Sequence, residues 1–285
     1  MREPIVVLGE VHDNVAQHAL RAQALARVIE RGRRPAIALE QLDHDRQPEV
    51  ERVRQEPGDT ASRVTHLIEA AGGRGWNWDL YRPYLALALE NNLPIVAANL
   101  SRKQAMNVAR EGLGSVFEES QRVTLGLDAI SPDLLLAQEH EIEQGHCGRA
   151  PPEALPDLAL AQIARDAMLA QSIAPYFDQG VVLLTGNGHA RRDIGVLQHV
   201  SAADAARAIS IGLLEDDKQA AEQAPYFDVA MTTPAQARAD PCAKLAPMRM
   251  SAPPADAPRP LRRTLLPLPA NPQSLDGIEQ QRKPD

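Results

Sequence analysis

The chain is punctuated by short runs of Val, Ile, Leu and Ala that are apolar at nearly every position rather than at every second one. They fall at Ile5–Leu8, Ala36–Leu39, Pro94–Ala98, Val181–Leu184, Ala208–Leu214 and Asp228–Thr232. A strand with one wet face alternates polar and apolar residues, whereas a strand covered on both faces does not. Continuous apolar runs therefore predict a parallel sheet with helices on both sides. Parallel neighbours need a long crossover, and helix-length segments separate these runs. In the first of them Asp13 or Asn14 can cap a helix, Val15, Ala19, Ala22, Ala26 and Ile29 recur at three- and four-residue steps, and Gly32 can close the end. Strand, helix and strand make a right-handed βαβ unit. The expected fold is α/β, an open and mostly parallel sheet flanked by helices.

The segment from Leu100 to Gln179 is too long for one crossover. Helical patterns at Lys103–Glu111, Pro132–Gln144 and Leu155–Phe177 predict a helical cap inserted at about residues 101–179. Ten of the 23 prolines lie in Pro241–Asp285, in stretches such as "APPADAPRP" and "LPLPANP". Such a segment cannot offset its ordering entropy by burial, so the α/β domain is expected over residues 1–240 and a disordered tail over 241–285.

Aromatic residues make up only 3% of the chain, so Ala and Leu must build most of the core. The net charge of −8 argues against nucleic acid as a partner, because phosphate binding needs a positive stripe. No apolar run approaches the length of a membrane span. Two distant cysteines, Cys147 and Cys242, form neither a disulfide framework nor a zinc-finger spacing. The sequence enters a strand almost at once, without a charged-then-apolar leader, so a cytoplasmic protein is expected.

Ligands of open parallel sheets bind beyond the C-terminal ends of the strands. Gly9, Glu10 and His12 follow the first strand, Glu40 the second, Asn99, Ser101 and Arg102 the third, and Asn187 and His189 the fourth. Glu10 and Glu40 directly extend apolar runs, where a carboxylate is costly unless paired or ligated. Glu10, His12, Glu40 and His189 are thus expected to form one site, as a divalent-metal ligand set or as acid and base. Gly186 and Gly188 would bring His189 towards Glu10 and His12, with Arg191 and Arg192 available for anionic groups. In the cap, "QEHEIEQGHCG" sets His140, Glu143 and His146 at three-residue steps, which is one helical face. "IARDAMLAQSI" places Arg165 and Asp166 within an apolar helix, where a salt bridge to the strand ends explains them as well as catalysis does. "WNWDLYRPYLALALENN" holds both tryptophans, with Trp78, Tyr81 and Tyr84 or Leu85 on one side of a helix and Pro83 in its first turn. It reads as a packing anchor or a place for a flat apolar ligand.

In order, "VVLGEVHDN", "IALEQL", "WDLYRPYLALALENNLPIVAANLSR", "HCG", "QIARDAMLAQSI" and "LLTGNGHARRDIGV" resemble the ChaN family of haem-binding uptake proteins, grouped with Tiki, TraB and erythromycin-esterase-like proteins. The resemblance runs from about Ile5 to about Val200. It implies a helical lid, haem binding, a role in iron uptake and homodimers that enclose haems cofacially. Glu10, His12, Glu40, His146 and His189 match the family's polar pattern. A tyrosine that can ligate haem iron in the family would correspond here to Tyr81 or Tyr84. Arg102, Arg191 and Arg192 would meet the propionates. Many members carry a leader and a lipidated cysteine that this sequence lacks, and a start missing from it would place the protein in the cell envelope. Two functions follow: haem binding, or hydrolysis by the strand-end glutamates and histidines with or without metal.

Overall fold

A computed structural model describes residues 4–215 and 220–244. The order is β1 (Ile5–Leu8), α1 (Val15–Glu30), β2 (Ala36–Asp43), α2 (Gln47–Gln55), α3 (Thr60–Ala71), α4 (Trp78–Glu90), β3 (Ile95–Asn99), α5 (Arg102–Glu111), α6 (Glu119–Thr124), α7 (Pro132–Gly145) and α8 (Leu155–Ile173). Then come β4 (Val181–Leu184), α9 (Asn187–Ala190), α10 (Ala202–Arg207), β5 (Ala208–Glu215), α11 (Ala220–Gln223) and β6 (Val229–Thr233). The six strands form one sheet in the order β3-β2-β4-β1-β5-β6, with every pair parallel. The expected α/β architecture is therefore present, and each apolar run is a strand. The expected tail over 241–285 lies almost wholly outside the described residues.

The order dictates which helix covers which face. The connections β1–α1–β2 and β2–β3 travel towards the β3 edge, and all later ones travel towards the β6 edge. Right-handed crossovers put the two groups on opposite faces. Accordingly α1 to α4 pack Leu25, Val50, Leu67 and Leu85 on Ile37, Leu39 and Ile95. On the other face α8 packs Leu169, Ala170 and Ile173 on Ile5, Val7, Ala38 and Val181. The expected cap is real: Val108 of α5, Phe117, Leu125 after α6, and Ile163 and Ala167 of α8 form its own small core with Leu100.

Local signals fare unevenly. Asn14 caps α1 by accepting from Gln17 N–H at 3.0 Å, and Gly32 takes the left-handed conformation just past the helix end (φ 83°). The expected apolar stripe of α1 faces the core only from Ala22 onward, where Ala22 packs against the core and Ile29 is buried. Val15 is 55% exposed, whereas the buried face carries Gln17, His18, Arg21, Leu25 and Ile29. Polar residues take that face because they serve buried polar groups on the strands, as shown below. Pro83 lies inside α4 rather than in its first turn. Cys147 and Cys242 are joined as a disulfide, tying the turn after α7 to the segment beyond β6. Their separation of 95 residues hid the pairing, because spacing along the chain does not report proximity after folding.

Candidate functional site

The polar residues at the strand ends fall into two buried clusters rather than one site. The first surrounds Glu10, whose side chain is wholly buried. Its Oε1 accepts from the Tyr81 hydroxyl at 2.6 Å and lies 3.0 Å from His12 Nδ1. Its Oε2 forms an ion pair with Arg21 and lies 3.3 Å from His18 Nε2. Arg21 is itself buried and donates to the Leu8 carbonyl at 3.0 Å. The Tyr84 hydroxyl meets the His18 ring at 3.0 Å and donates to the His18 carbonyl at 3.0 Å. Burial pushes both phenols above the usual tyrosine range and His18 below the usual histidine range. On the core-facing polar stripe of α1, His18 and Arg21 meet Glu10, while Gln17 accepts from Val11 N–H and donates to Thr233.

The second cluster surrounds Glu40. Its Oε2 accepts from the Thr185 hydroxyl and the Gly186 N–H, both at 2.7 Å, and Asn99 donates to its backbone carbonyl at 3.0 Å. Glu40 Oε1 is 3.6 Å from His189 Nε2, and His189 Nδ1 binds Asp166 Oδ1 at 2.7 Å. Gln138 donates to the far oxygen of Asp166 at 3.3 Å, and the Gln162 amide lies 3.2 Å from His189 Nε2. Burial would raise the Glu40 carboxyl, but the His189 and His12 rings and its two hydrogen bonds bring it down to about 2. Burial would lower His189, but Asp166 and Glu40 together raise it to about 9. At neutral pH the cluster is therefore an ionised glutamate beside an imidazolium.

His12 sits between the clusters. Glu10 holds its Nδ1, its ring meets Trp76 edge-on at a centroid distance of 4.9 Å, and its side chain is 44% exposed. A Cβ on Gly186 would lie 2.8 Å from the ring, so only glycine lets β4 end this close to His12.

Several expectations need correction. His189 is directed to Glu40 and Asp166, not to Glu10. Among the described residues no three His, Cys, Asp or Glu side chains are grouped to hold a metal. Glu10 is committed to Arg21 and Tyr81, and Glu40 to Thr185 and Gly186. Tyr81 and Tyr84 are fully buried, with their hydroxyls turned to Glu10 and to His18. Arg191 is engaged by Glu141 and Asp193, and Arg192 by Asp228. His140 is exposed and pairs with Gln144, so it does not share a site with His146. Asn187 binds the β5 backbone at Leu213 through both amide atoms and is structural.

Beside the Glu40 cluster a cleft of about 700 Å³ opens between the sheet edge and the cap. Trp76, Leu100, Ala105, Met106, Ile142 and Leu158 give it apolar walls, and Arg74, Arg102, Arg165 and His146 give it cations and a nitrogen ligand. Glu40 and Gln162 form its floor towards His189. Arg165 donates to Asn99 Oδ1 at 3.1 Å and to the Leu100 carbonyl at 2.8 Å. His146 Nδ1 lies 2.8 Å from the Ile142 carbonyl, an acceptor only, so Nδ1 carries a proton and Nε2 is the lone-pair nitrogen of the neutral ring. Sequence reasoning reached His146 and Arg102 but missed Arg21, Arg74 and Gln162. A charged residue on the buried stripe of α1 was the signal for Arg21, while the loop residue Arg74 has no periodic signal at all.

The fold has solved counterparts. The structure titled cofacial heme binding to ChaN of Campylobacter jejuni is similar with a TM-score of 0.60 at 17% identity, over 76% of this chain and 83% of that one. The erythromycin esterase EreC in its open conformation gives a TM-score of 0.41 at 12% identity, over 75% and 70% of the two chains. No curated protein sequence matches the chain. Residues 1–200 match the family model described as haem-binding uptake, Tiki superfamily, ChaN. The chain belongs to the ChaN family of the Tiki superfamily.

Proposed function

We propose that this protein binds haem in the cleft between the strand ends and the cap, as a haem-handling protein of iron uptake. The observation that carries the reading is His146. Its Nδ1 meets the Ile142 carbonyl, so Nε2 of the neutral ring is the atom that would hold haem iron, on a residue that lines an apolar cleft. Trp76, Met106, Ile142 and Leu158 suit the macrocycle, and Arg74 and Arg102 suit the propionates. When bound, haem would supply an iron centre whose ligand field the protein tunes through His146. Haemin titration tests this: a saturable Soret shift is expected, lost or displaced in His146→Ala and unchanged in Tyr81→Phe and Tyr84→Phe. Sedimentation of the same samples tests the proposed homodimer with and without haemin. The absence of a saturable shift overturns the reading. The Cys147–Cys242 disulfide supports an oxidising compartment, hence the cell envelope rather than the cytoplasm.

One observation favours a second reading, hydrolysis. Glu10 orients His12 through Nδ1 at 3.0 Å while the ring stays exposed beside Glu40, which is the arrangement of a general base. Hydrolysis of p-nitrophenyl esters that disappears in His12→Ala, with folding intact, would support it. Turnover equal in wild type and His12→Ala would exclude it.

A further inference from the structure

The crossover directions that cover one side of the sheet leave part of the other side bare. Val6 and Leu8 of β1 are in register with Ile209 and Ile211 of β5, and Ile211 and Leu213 with Val229 and Met231 of β6. These side chains share the face that carries α1 to α4; the first turn of α1 reaches β6 at its C-terminal end, where Gln17 donates to Thr233 at 3.0 Å and Leu213 is buried, while Val229 and Met231 further back stay uncovered. Val229 and Met231 are 44% and 45% exposed, unusual for a parallel sheet. The bare face meets the flank of α1, where Leu20, Ala24 and Val28 continue the apolar surface at four-residue steps. Leu20, Ala24 and Val28 of α1 with Leu8, Ile211 and Met231 of the sheet line a trough of about 670 Å³. Arg31 extends the same helical stripe at its end, with Arg33 and Arg34 beside it on the rim. From Leu20 to Arg31 the helix runs roughly 17 Å.

Charge decides what fits. The chain carries a net charge of −8, yet among the described residues the trough lining holds no carboxylate, and Arg31 and Arg34 stand on its rim. Arg34 donates only to the backbone carbonyls of Ile29 and Arg33, and neither Arg31 nor Arg34 meets a carboxylate among the described residues. We propose that the trough binds a single-chain anionic amphiphile, a fatty carboxylate whose alkyl chain lies between α1 and β1, β5 and β6. Its head pairs with Arg31 and Arg34, where guanidinium offers the fork that a carboxylate accepts. This site lies apart from the haem cleft and does not depend on it.

Dodecanoate titrated into the full chain by calorimetry is the test, with dodecanol as the uncharged control. Saturable binding is expected, weakened at least tenfold in Met231→Glu and in the Arg31→Glu/Arg34→Glu double variant, and unchanged in His146→Ala. Dodecanol should bind at least tenfold more weakly than dodecanoate. Oxidative footprinting adds a second readout: Met231 should be oxidised in the free protein and protected by dodecanoate. No saturable binding, equal affinity for the alcohol, or no response to Met231→Glu would overturn the proposal. So would a Met231 already protected in the free protein, whether by another part of the chain or by a second copy. Sedimentation with phosphatidylglycerol vesicles in the absence of dodecanoate binding would also overturn it, by showing the face to be a membrane contact.

Discussion

Replacing Asp166 by Asn tests what keeps His189 charged. The two side chains are buried and joined at 2.7 Å, with Glu40 3.6 Å away on the other side of the ring. Burial alone favours the neutral imidazole, so the rise from 6.5 to about 9 is the work of Asp166 first and Glu40 second. A folded-state value above the unfolded one means that the proton stabilises the fold. That stabilisation is complete below pH 6.5 and disappears as pH rises through about 9. At 1.36 kcal/mol per unit it amounts to about 3 kcal/mol at low pH. Burial also raises the Asp166 carboxyl, so its ionised form carries a cost that Asn removes. The net loss in Asp166→Asn at pH 6.5 is therefore about 2 kcal/mol, below the usual range for breaking a buried pair.

Two measurements read this directly. The His189 ring resonance, followed by NMR, should titrate about 2 units lower in Asp166→Asn than in wild type. Urea unfolding of both proteins between pH 6 and 10 should show a gap that narrows as the wild-type proton leaves. A variant in which His189 still titrates near 9 would refute the assignment of the proton to this pair. A stability gap that does not change with pH would refute the linkage.

Other perturbations have equally direct readouts. Arg21→Met leaves Glu10 buried without its cation and should cost about 3–5 kcal/mol in chemical unfolding, with much of it recovered by adding Glu10→Gln. Gly186→Ala puts a methyl 2.8 Å from the His12 ring, so it should lower the melting temperature by an amount equivalent to about 1–3 kcal/mol and relax in combination with His12→Ala. Glu40, held at about 2, stabilises the fold above its unfolded value and should stop doing so as pH falls towards 2. Glu40→Gln should therefore show a shallower acid-unfolding profile between pH 5 and 2. Reduction of Cys147–Cys242, or Cys242→Ser, removes a link across 95 residues and should cost about 2–4 kcal/mol. Because Cys147 follows His146 directly, reduction should also weaken haemin binding, read by the same Soret titration.

The sheet was legible because burial on both faces of β1 to β4 leaves a mark that no other local structure imposes over so few residues, while β6 reads as apolar although four of its five residues are exposed. Its boundaries at Ile5–Leu8 and Val181–Leu184 match the apolar runs residue for residue. The helix faces were less legible, and α1 shows why. Its apolar residues occupy more than one side, and the side that is buried meets Glu10, a residue five positions before the helix. No periodicity within the helix can reveal that. Asp166 was visible as a charge within an apolar helix, but whether it served structure or chemistry depended on finding His189 opposite it, a contact between α8 and α9.

The same reasoning explains why the strand-end motifs overstate the size of the reactive site. "GEVHDN" and "GNGHARRDIGV" each mix groups of two kinds. Glu10 is enclosed by Arg21, Tyr81 and His18, and Arg191 and Arg192 are matched to Glu141, Asp193 and Asp228. These groups are paired with one another within the protein. His12 and His146 differ: each has one ring nitrogen fixed by the protein, His12 by Glu10 and His146 by Ile142. His12 is exposed, and His146 lines the cleft. A fixed tautomer with an accessible second nitrogen is what both ligation and proton transfer need. The choice between haem and hydrolysis therefore reduces to which of these two histidines responds, and His146→Ala and His12→Ala, each measured in both assays, separate them.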